Sequence, residues 1–384
     1  MKHIYLDNAA TTPMAQPVID KMTAVMTQVF GNASSTHYYG RQARAILDES
    51  RHVIATSINA KKYDEIVFTS GGTESDNTAI IETAFARKNE GRHLITTAIE
   101  HEAVLKSMAY LETQGFEVTY LPVDRTGKIS LTDLQNALRA DTILVSIMAG
   151  NNEVGSRMPI HQIGQIVAAS NAWFHTDAVQ AYGLVDLDVQ ADQIDLMSTS
   201  AHKLNGPKFL GFLYRAEHVV IPSLIKGGDQ ELKRRAGTEN IPAIAAFAQA
   251  VKLVDSQEKA ARQQKYAGFK QQLVTGLREN GIEVEVNGDL EGHNLQHVLN
   301  LWFKGCPSDA LLTNLDLNGI AVSAGSACTA GSLEPSHVLI AMYGKDSPRI
   351  AESLRFSFGA GNTAAEIEVV IATLSTIVKK LKRE

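Results

Sequence analysis

Between Glu65 and Tyr214 the chain alternates short β-branched and apolar runs with longer stretches whose apolar residues recur every three or four positions. That alternation is the pattern of a mainly parallel sheet covered by helices, because each helix carries the chain back to begin the next strand in the same direction. It predicts strands over residues 65–69, 93–97, 117–121, 142–147, 173–175 and 210–214, with a further apolar stretch at 194–197. Helices are predicted over 41–59, 75–88, 103–113 and 160–169. At 384 residues the chain is longer than one core fills, so two domains are expected. We place the second beyond about Ile241, where a long Ala- and Gln-rich helical stretch runs to Asn280. Strands at 284–286 and 298–303, alternating with helices, follow it.

Composition excludes several function classes. Apolar residues at 44% and charged residues at 20% are the values of a soluble globular chain. With 36 Lys and Arg against 42 Asp and Glu, the net charge of -6 offers no basic field to nucleic acid or to an anionic membrane. No run approaches the roughly 18 apolar residues of a membrane span, and the opening Met1-Lys-His-Ile-Tyr-Leu-Asp7 has no apolar signal core. The expectation is a cytoplasmic protein whose two cysteines, Cys306 and Cys328, stay reduced.

Three motifs carry chemistry. In the first, Ile66-Val-Phe-Thr-Ser70 reads as a strand, Gly71-Gly72 as a turn and Thr73-Glu74-Ser75 as a helix start. Free backbone N–H groups and a hydroxyl converge there as in a phosphate cradle, although Gly and Thr also suit an ordinary β-to-α turn. The glycine spacing fits neither a dinucleotide nor a nucleoside triphosphate, which leaves a small phosphorylated ligand. The second motif is Ser198-Thr-Ser200-Ala-His202-Lys203-Leu-Asn-Gly206-Pro207-Lys208. Lys203 sits at a strand end among small and polar residues, where a desolvated lysine can attack a carbonyl to form a Schiff base. Pyridoxal phosphate is the obvious carbonyl compound. Trp173-Phe-His-Thr-Asp177-Ala-Val-Gln180 places a carboxylate suited to that cofactor's pyridine nitrogen, and Gln180 three residues on for its ring hydroxyl. Lys203 alone also reads as a solvated lysine; the conjunction with Asp177 and the glycine turn points to the cofactor. The third motif, Ser323-Ala-Gly-Ser-Ala-Cys328-Thr-Ala-Gly-Ser332, surrounds a cysteine with side chains too small to bury it. That is the setting of a thiol placed to react, or of an idle surface loop.

These motifs lie in a sequence that closely resembles the cysteine desulfurases of the class I type, the IscS and NifS group within the class V aminotransferases. Seven blocks carry the likeness in one order: Tyr5-Leu-Asp-Asn-Ala-Ala-Thr-Thr-Pro13, Thr69-Ser-Gly-Gly-Thr-Glu-Ser75, Glu100-His-Glu102, Asn151-Asn-Glu-Val-Gly155, Ser200-Ala-His-Lys203, Gly325-Ser-Ala-Cys-Thr329 and Ser353-Leu-Arg-Phe-Ser357. The resemblance implies an α/β fold, that of a fold-type I PLP-dependent transferase. Its large domain, residues 16–250, would hold a mainly parallel seven-stranded sheet. A smaller α+β C-terminal domain, residues 1–15 and 251–384, would carry the catalytic cysteine loop.

The resemblance also implies residue roles and partners. Lys203 would hold pyridoxal 5'-phosphate and shuttle protons, and His101 would stack on the ring and assist. Asp177 would pair with the pyridine nitrogen, while Gly72, Thr73, Ser200 and His202 would bind the phosphate. Gln180 and Asn152 would contact the ring oxygen side, and Arg355, beside Asn152, would clamp the substrate carboxylate. Cys328 would attack the sulfur of L-cysteine, giving L-alanine and a persulfide bound for an acceptor protein, an iron-sulfur cluster scaffold or a tRNA thiolation enzyme. Thr238, in the segment Gly227-Gly-Asp-Gln-Glu-Leu-Lys-Arg-Arg-Ala-Gly-Thr238, would reach the neighbouring site of a homodimer. No metal is implied. Phe209 stands where relatives often carry glycine, and Ala324 and Ala330 where serine is common. Cys306 has no counterpart and reads as structural. A selenocysteine lyase, another aminotransferase of the same fold, and a non-catalytic sulfur-transfer scaffold are the alternative readings.

Overall fold

The computed structural model describes residues 3–325 and 335–382. In chain order its strands are β1 (Ile4–Tyr5), β2 (Ile66–Thr69), β3 (His93–Thr97), β4 (Glu117–Leu121), β5 (Thr142–Ser146) and β6 (Trp173–Asp177). There follow β7 (Leu196–Ser200), β8 (Gly211–Arg215), β9 (Glu285–Asn287), β10 (Val298–Trp302), β11 (Ile320–Ala321) and β12 (Ser353–Ser357). Seven of them form the main sheet in the order β2-β8-β7-β6-β5-β3-β4. Only β8 runs antiparallel to its neighbours, so the expected mainly parallel seven-stranded sheet is present. Inner strands β3, β5 and β7 are buried along their whole length, whereas edge strand β4 is largely solvent-facing. This is the division that helices packed over both faces impose.

The helix expected at 75–88 starts earlier, at Gly72, and continues to Arg87 through a wider π turn at Thr78–Glu82. The long helix expected from 241 to 280 is instead two helices, Ile241–Lys252 and Ser256–Glu279. The break has a local cause: the Asp255 side chain accepts the backbone N–H of Glu258 at 2.8 Å, an N-cap that restarts the helix. It also separates two cores. Ile244, Ala246 and Phe247 pack with the main sheet, whereas Tyr266, Phe269 and Leu273 join a second core.

That second core also takes Ile4 and Leu6 from the start of the chain. Around it stand an antiparallel sheet ordered β12-β10-β9 and the parallel pair β1-β11. The last helix, Ala364–Leu381, closes it from a capping box of Thr363 and Glu366. Cys306 lies fully buried there, its thiol pushed up by desolvation, as a structural cysteine should be. Phe209 is 81% exposed and holds a left-handed backbone (φ 57°), the conformation that suits the glycine common in relatives. Among the described residues no helix is long and apolar enough to cross a membrane.

Candidate active site

Parallel strands deliver their last residues to one edge of the sheet, and ligands of such folds bind in the crevice outside those carboxyl ends. At that edge β2 leads into Gly71-Gly72, β3 into Glu100-His101 and β5 into Asn151-Asn152, while β6 ends on Asp177 and β7 on Ser200. A cleft of about 250 Å³ opens there. Gly72, Thr73, His101, Asn152, Asp177, Gln180, Ser200, His202, Lys203 and Arg355 all line it, joined by Ala9, Ala10, Asp76, Met148 and Val179. Thr238 does not line it. It lies exposed in its segment, which is tied to the glycine turn by an ion pair of Arg235 Nε with Glu74 Oε1 at 2.9 Å. Cys328 falls outside the described residues.

The glycine turn is sterically specified. A Cβ on Gly72 would stand 2.6 Å from Val179 Cγ2, and Gly71 takes φ 147°. Only glycines let this backbone come so close to the strand ends. His202 stands opposite; burial pushes its pKa down to about 4, so it is neutral and offers a ring N–H without a charge. Lys203 ends a short 3-10 turn after β7, and its Nζ donates to the carbonyls of Ala9 at 2.6 Å and Ala10 at 2.8 Å. Ala9 and Ala10 thus form part of a wall of the cleft. They stood within the matched blocks, but no side-chain chemistry marked them.

On the opposite side, His101 caps the helix Glu102–Thr113, its Nδ1 accepting the N–H of Ala103 at 3.2 Å. Its neutral form therefore carries the proton on Nε2. Asp177 is fully buried, with Oδ1 accepting from Val179 N at 2.8 Å. Desolvation raises its pKa, and the opposing pull comes from His101 and Lys203. Gln180 is fixed at both ends of its amide: Nε2 donates to Ala9 O at 3.0 Å, and Oε1 faces His297 Nε2 at 3.0 Å. His297, which sequence reasoning missed, is held neutral by burial with a pKa of about 3, so it can only donate to that oxygen.

Arg355, in the middle of β12, is 1% exposed. Its Nη2 donates to Asp7 Oδ1 at 2.7 Å and its Nη1 to the carbonyl of Asn152 at 3.1 Å, whereas the buried Nε has no partner. The main chain of Arg355 is bonded in both directions to Ser323. Beyond the cysteine segment, Ser336 Oγ donates to Glu153 Oε2 at 2.5 Å and His337 Nε2 meets the carbonyl of Glu100 at 2.9 Å. One root of that segment is therefore bonded to Arg355, which lines the cleft, and the other to Glu153 and Glu100, each next in sequence to a residue that lines it.

A buried carboxylate at a strand end, a glycine turn that a Cβ would block, and a lysine among backbone carbonyls fit the ring nitrogen, phosphate and aldehyde of pyridoxal 5'-phosphate. Fold and cleft together define a fold-type I PLP-dependent enzyme. The chain belongs to the aminotransferase class-V family, whose profile matches residues 4–370. It is 52% identical over 381 residues to the putative cysteine desulfurase IscS 1 of Bacillus subtilis (strain 168), covering 99% of this chain and 100% of that protein. A solved NifS-like protein superposes with a TM-score of 0.91 at 34% identity, over 98% of this chain and all of the other. A structure of SspA in complex with cysteine aligns with a TM-score of 0.80 at 35% identity, over 92% of this chain and 98% of that one.

Proposed function

We propose that this chain is a cysteine desulfurase: it removes sulfur from L-cysteine, leaving L-alanine and a persulfide on Cys328. The observation that carries the reading is the rooting of the cysteine segment at the cofactor cleft, by Ser323 on the main chain of Arg355 and by Ser336 and His337 on Glu153 and Glu100. An aminotransferase has no use for a cysteine-bearing segment whose described ends are bonded there.

The residues divide the work. Gly72, Thr73, Ser200 and His202 hold the phosphate, Asp177 the ring nitrogen, and Gln180 with Asn152 the ring oxygen side. Bound there, pyridoxal 5'-phosphate supplies an electron sink that lets the substrate's α-hydrogen leave as a proton and its carbon–sulfur bond weaken. Arg355, together with Asn152, orients the substrate by its carboxylate; Asp7 and the Asn152 carbonyl take only two of its five N–H donors. Lys203 Nζ moves the α-proton, and His101 Nε2 covers the ring and assists. The Cys328 thiolate then attacks the substrate sulfur: the sulfur–sulfur bond forms, the carbon–sulfur bond breaks with its electron pair kept on carbon, and a proton completes alanine. An acceptor thiol takes the outer sulfur, on an iron-sulfur scaffold or a tRNA thiolation enzyme. Thr238 serves the neighbouring site of a homodimer, and the enzyme works in the cytoplasm.

Incubation with L-cysteine, following alanine and protein-bound persulfide, tests this. Wild type is expected to form both, and Cys328→Ala to keep the cofactor's visible absorbance while accumulating no persulfide. Persulfide on the Cys328→Ala protein would overturn the role of that thiol.

A further inference from the structure

Gln180 follows β6 of the main sheet, yet both partners of its amide come from elsewhere in the chain. Nε2 donates to the carbonyl of Ala9 at 3.0 Å, and Oε1 faces His297 Nε2 at 3.0 Å. A carbonyl only accepts, so the amide nitrogen has to lie toward Ala9 and the amide oxygen toward His297, which has to donate. The imidazole agrees. Its Nδ1 is buried without a partner among the described residues, as in a ring whose single proton sits on Nε2. Burial, and then the cations Lys270, Lys203 and Arg355, keep a second proton off it.

Both clamps on the amide are moored at one place. His297 directly precedes β10, and its carbonyl accepts from Phe358 N at 2.8 Å; Ala9 N donates to Ser357 Oγ at 2.8 Å. Ser357 ends β12, Phe358 follows it, and β12 pairs with β10 along its whole length. The smaller antiparallel sheet therefore sets both clamps, not the strand that carries Gln180. A flipped amide would turn its oxygen on the Ala9 carbonyl and its nitrogen on the His297 N–H, acceptor against acceptor and donor against donor. In the observed orientation one amide N–H is committed to Ala9, and the other makes no bond among the described residues. Gln180 lines the cleft, so that second N–H is the donor left for a ligand.

We propose that His297 is a positioning residue for the cofactor: it holds the Gln180 amide in the orientation that keeps a second N–H available to the ring oxygen. The proposal rests on the role given to Gln180 above. A donor to that oxygen stabilises its negative charge and opposes protonation of the ring system. Loss of the donor therefore raises the pH at which the bound cofactor's visible absorbance titrates.

That titration, run at saturating pyridoxal 5'-phosphate, tests it. Gln180→Leu is expected to raise the midpoint by about one pH unit, and His297→Leu to raise it as far, because an amide without its second clamp no longer presents its N–H. His297→Gln, which restores a donor, is expected to stay within about 0.3 unit of wild type, and the Gln180→Leu/His297→Leu double variant to move no further than either single one. A wild-type midpoint in His297→Leu where Gln180→Leu has moved it, or shifts that add in the double variant, would overturn the proposal and leave the role of Gln180 standing. An unmoved midpoint in Gln180→Leu would instead fail that role, and the proposal with it. A second arm does not depend on how the leucine variants fold. It reads the ring nitrogens by NMR in the cofactor-free full chain at neutral pH, carrying isotope-labelled histidine, with the His297 signals assigned by their loss in His297→Gln. A proton on Nε2 is expected; a bare Nε2 sinks the proposal whatever the cofactor does.

Discussion

The two ends of the main sheet are built by the same strands, yet only the smaller cleft is equipped for chemistry. At the amino ends of β6 and β7 a cleft of about 680 Å³ is lined by Trp173, Asp195, Tyr214 and His218. Several of its polar groups are paired: His218 Nε2 meets Asp195 Oδ1 at 2.8 Å, Phe174 N donates to Asp195 Oδ2 at 2.7 Å, and Glu217 pairs with Lys62 just outside it. At the carboxyl ends the cleft is about 250 Å³, and Asp76 Oδ1, Glu100 Oε2 and Arg355 Nε are buried at or beside it without partners. Volume therefore does not mark the site. Position at the carboxyl ends of the parallel strands does, for unpartnered buried polar atoms also occur away from it, as at Thr83 and Ser375.

Four substitutions bear on that contrast. At the carboxyl end, Lys203→Ala should abolish the cofactor's visible absorbance and cut turnover by about 10²- to 10⁴-fold, read by absorbance and alanine release. Normal absorbance with full turnover would mean that this edge does not hold the cofactor through Lys203. Next in size, Arg355→Ala should raise KM for cysteine about 10- to 100-fold while the absorbance persists, as expected for loss of a charged hydrogen bond.

Glu100 gives a smaller, pH-dependent effect. Burial pushes its carboxyl from 4.5 up to about 8, so the folded protein holds a proton that the unfolded chain has released. The stability this proton contributes is complete below 4.5 and is lost as the pH rises through about 8. Glu100→Gln keeps an acceptor for Thr97 Oγ1 and Met148 N, and Tm profiles should show it gaining on wild type across that window. Parallel profiles would show that Glu100 is not protonated in the fold. Smallest of all, His218→Ala at the other edge should leave turnover unchanged and shift stability by less than about 1 kcal/mol, since the imidazole is largely solvent-exposed and Asp195 keeps its bond from Phe174 N. A large loss of turnover there would erase the distinction between the edges.

What could be read from the chain follows the same division. Asp177, Ser200 and Lys203 were legible because chemistry-bearing residues stand directly after β-branched runs, and a parallel sheet gathers such positions at one edge. The resemblance then supplied roles that spacing alone left open. Asp76 was not legible: in Glu74-Ser-Asp-Asn77 it looks like a polar helix residue, and only the fold, which sets it against His175, shows it to be buried. His297 was hidden for another reason, since it meets Gln180 from 117 residues away in sequence and leaves no local pattern. The break before Ser256 was written in the chain, as Asp255-Ser-Gln-Glu258, but the apolar periodicity on either side masked the cap.

The pairing of Ser323 with Arg355 has one more consequence. The same stretch of main chain both presents the guanidinium and pairs with Ser323, which precedes the cysteine segment. Under the proposed function, grip on the amino acid and delivery of the thiol would share a single fulcrum. A change that slid β12 by one residue would disable recognition and capture together, even with every side chain intact.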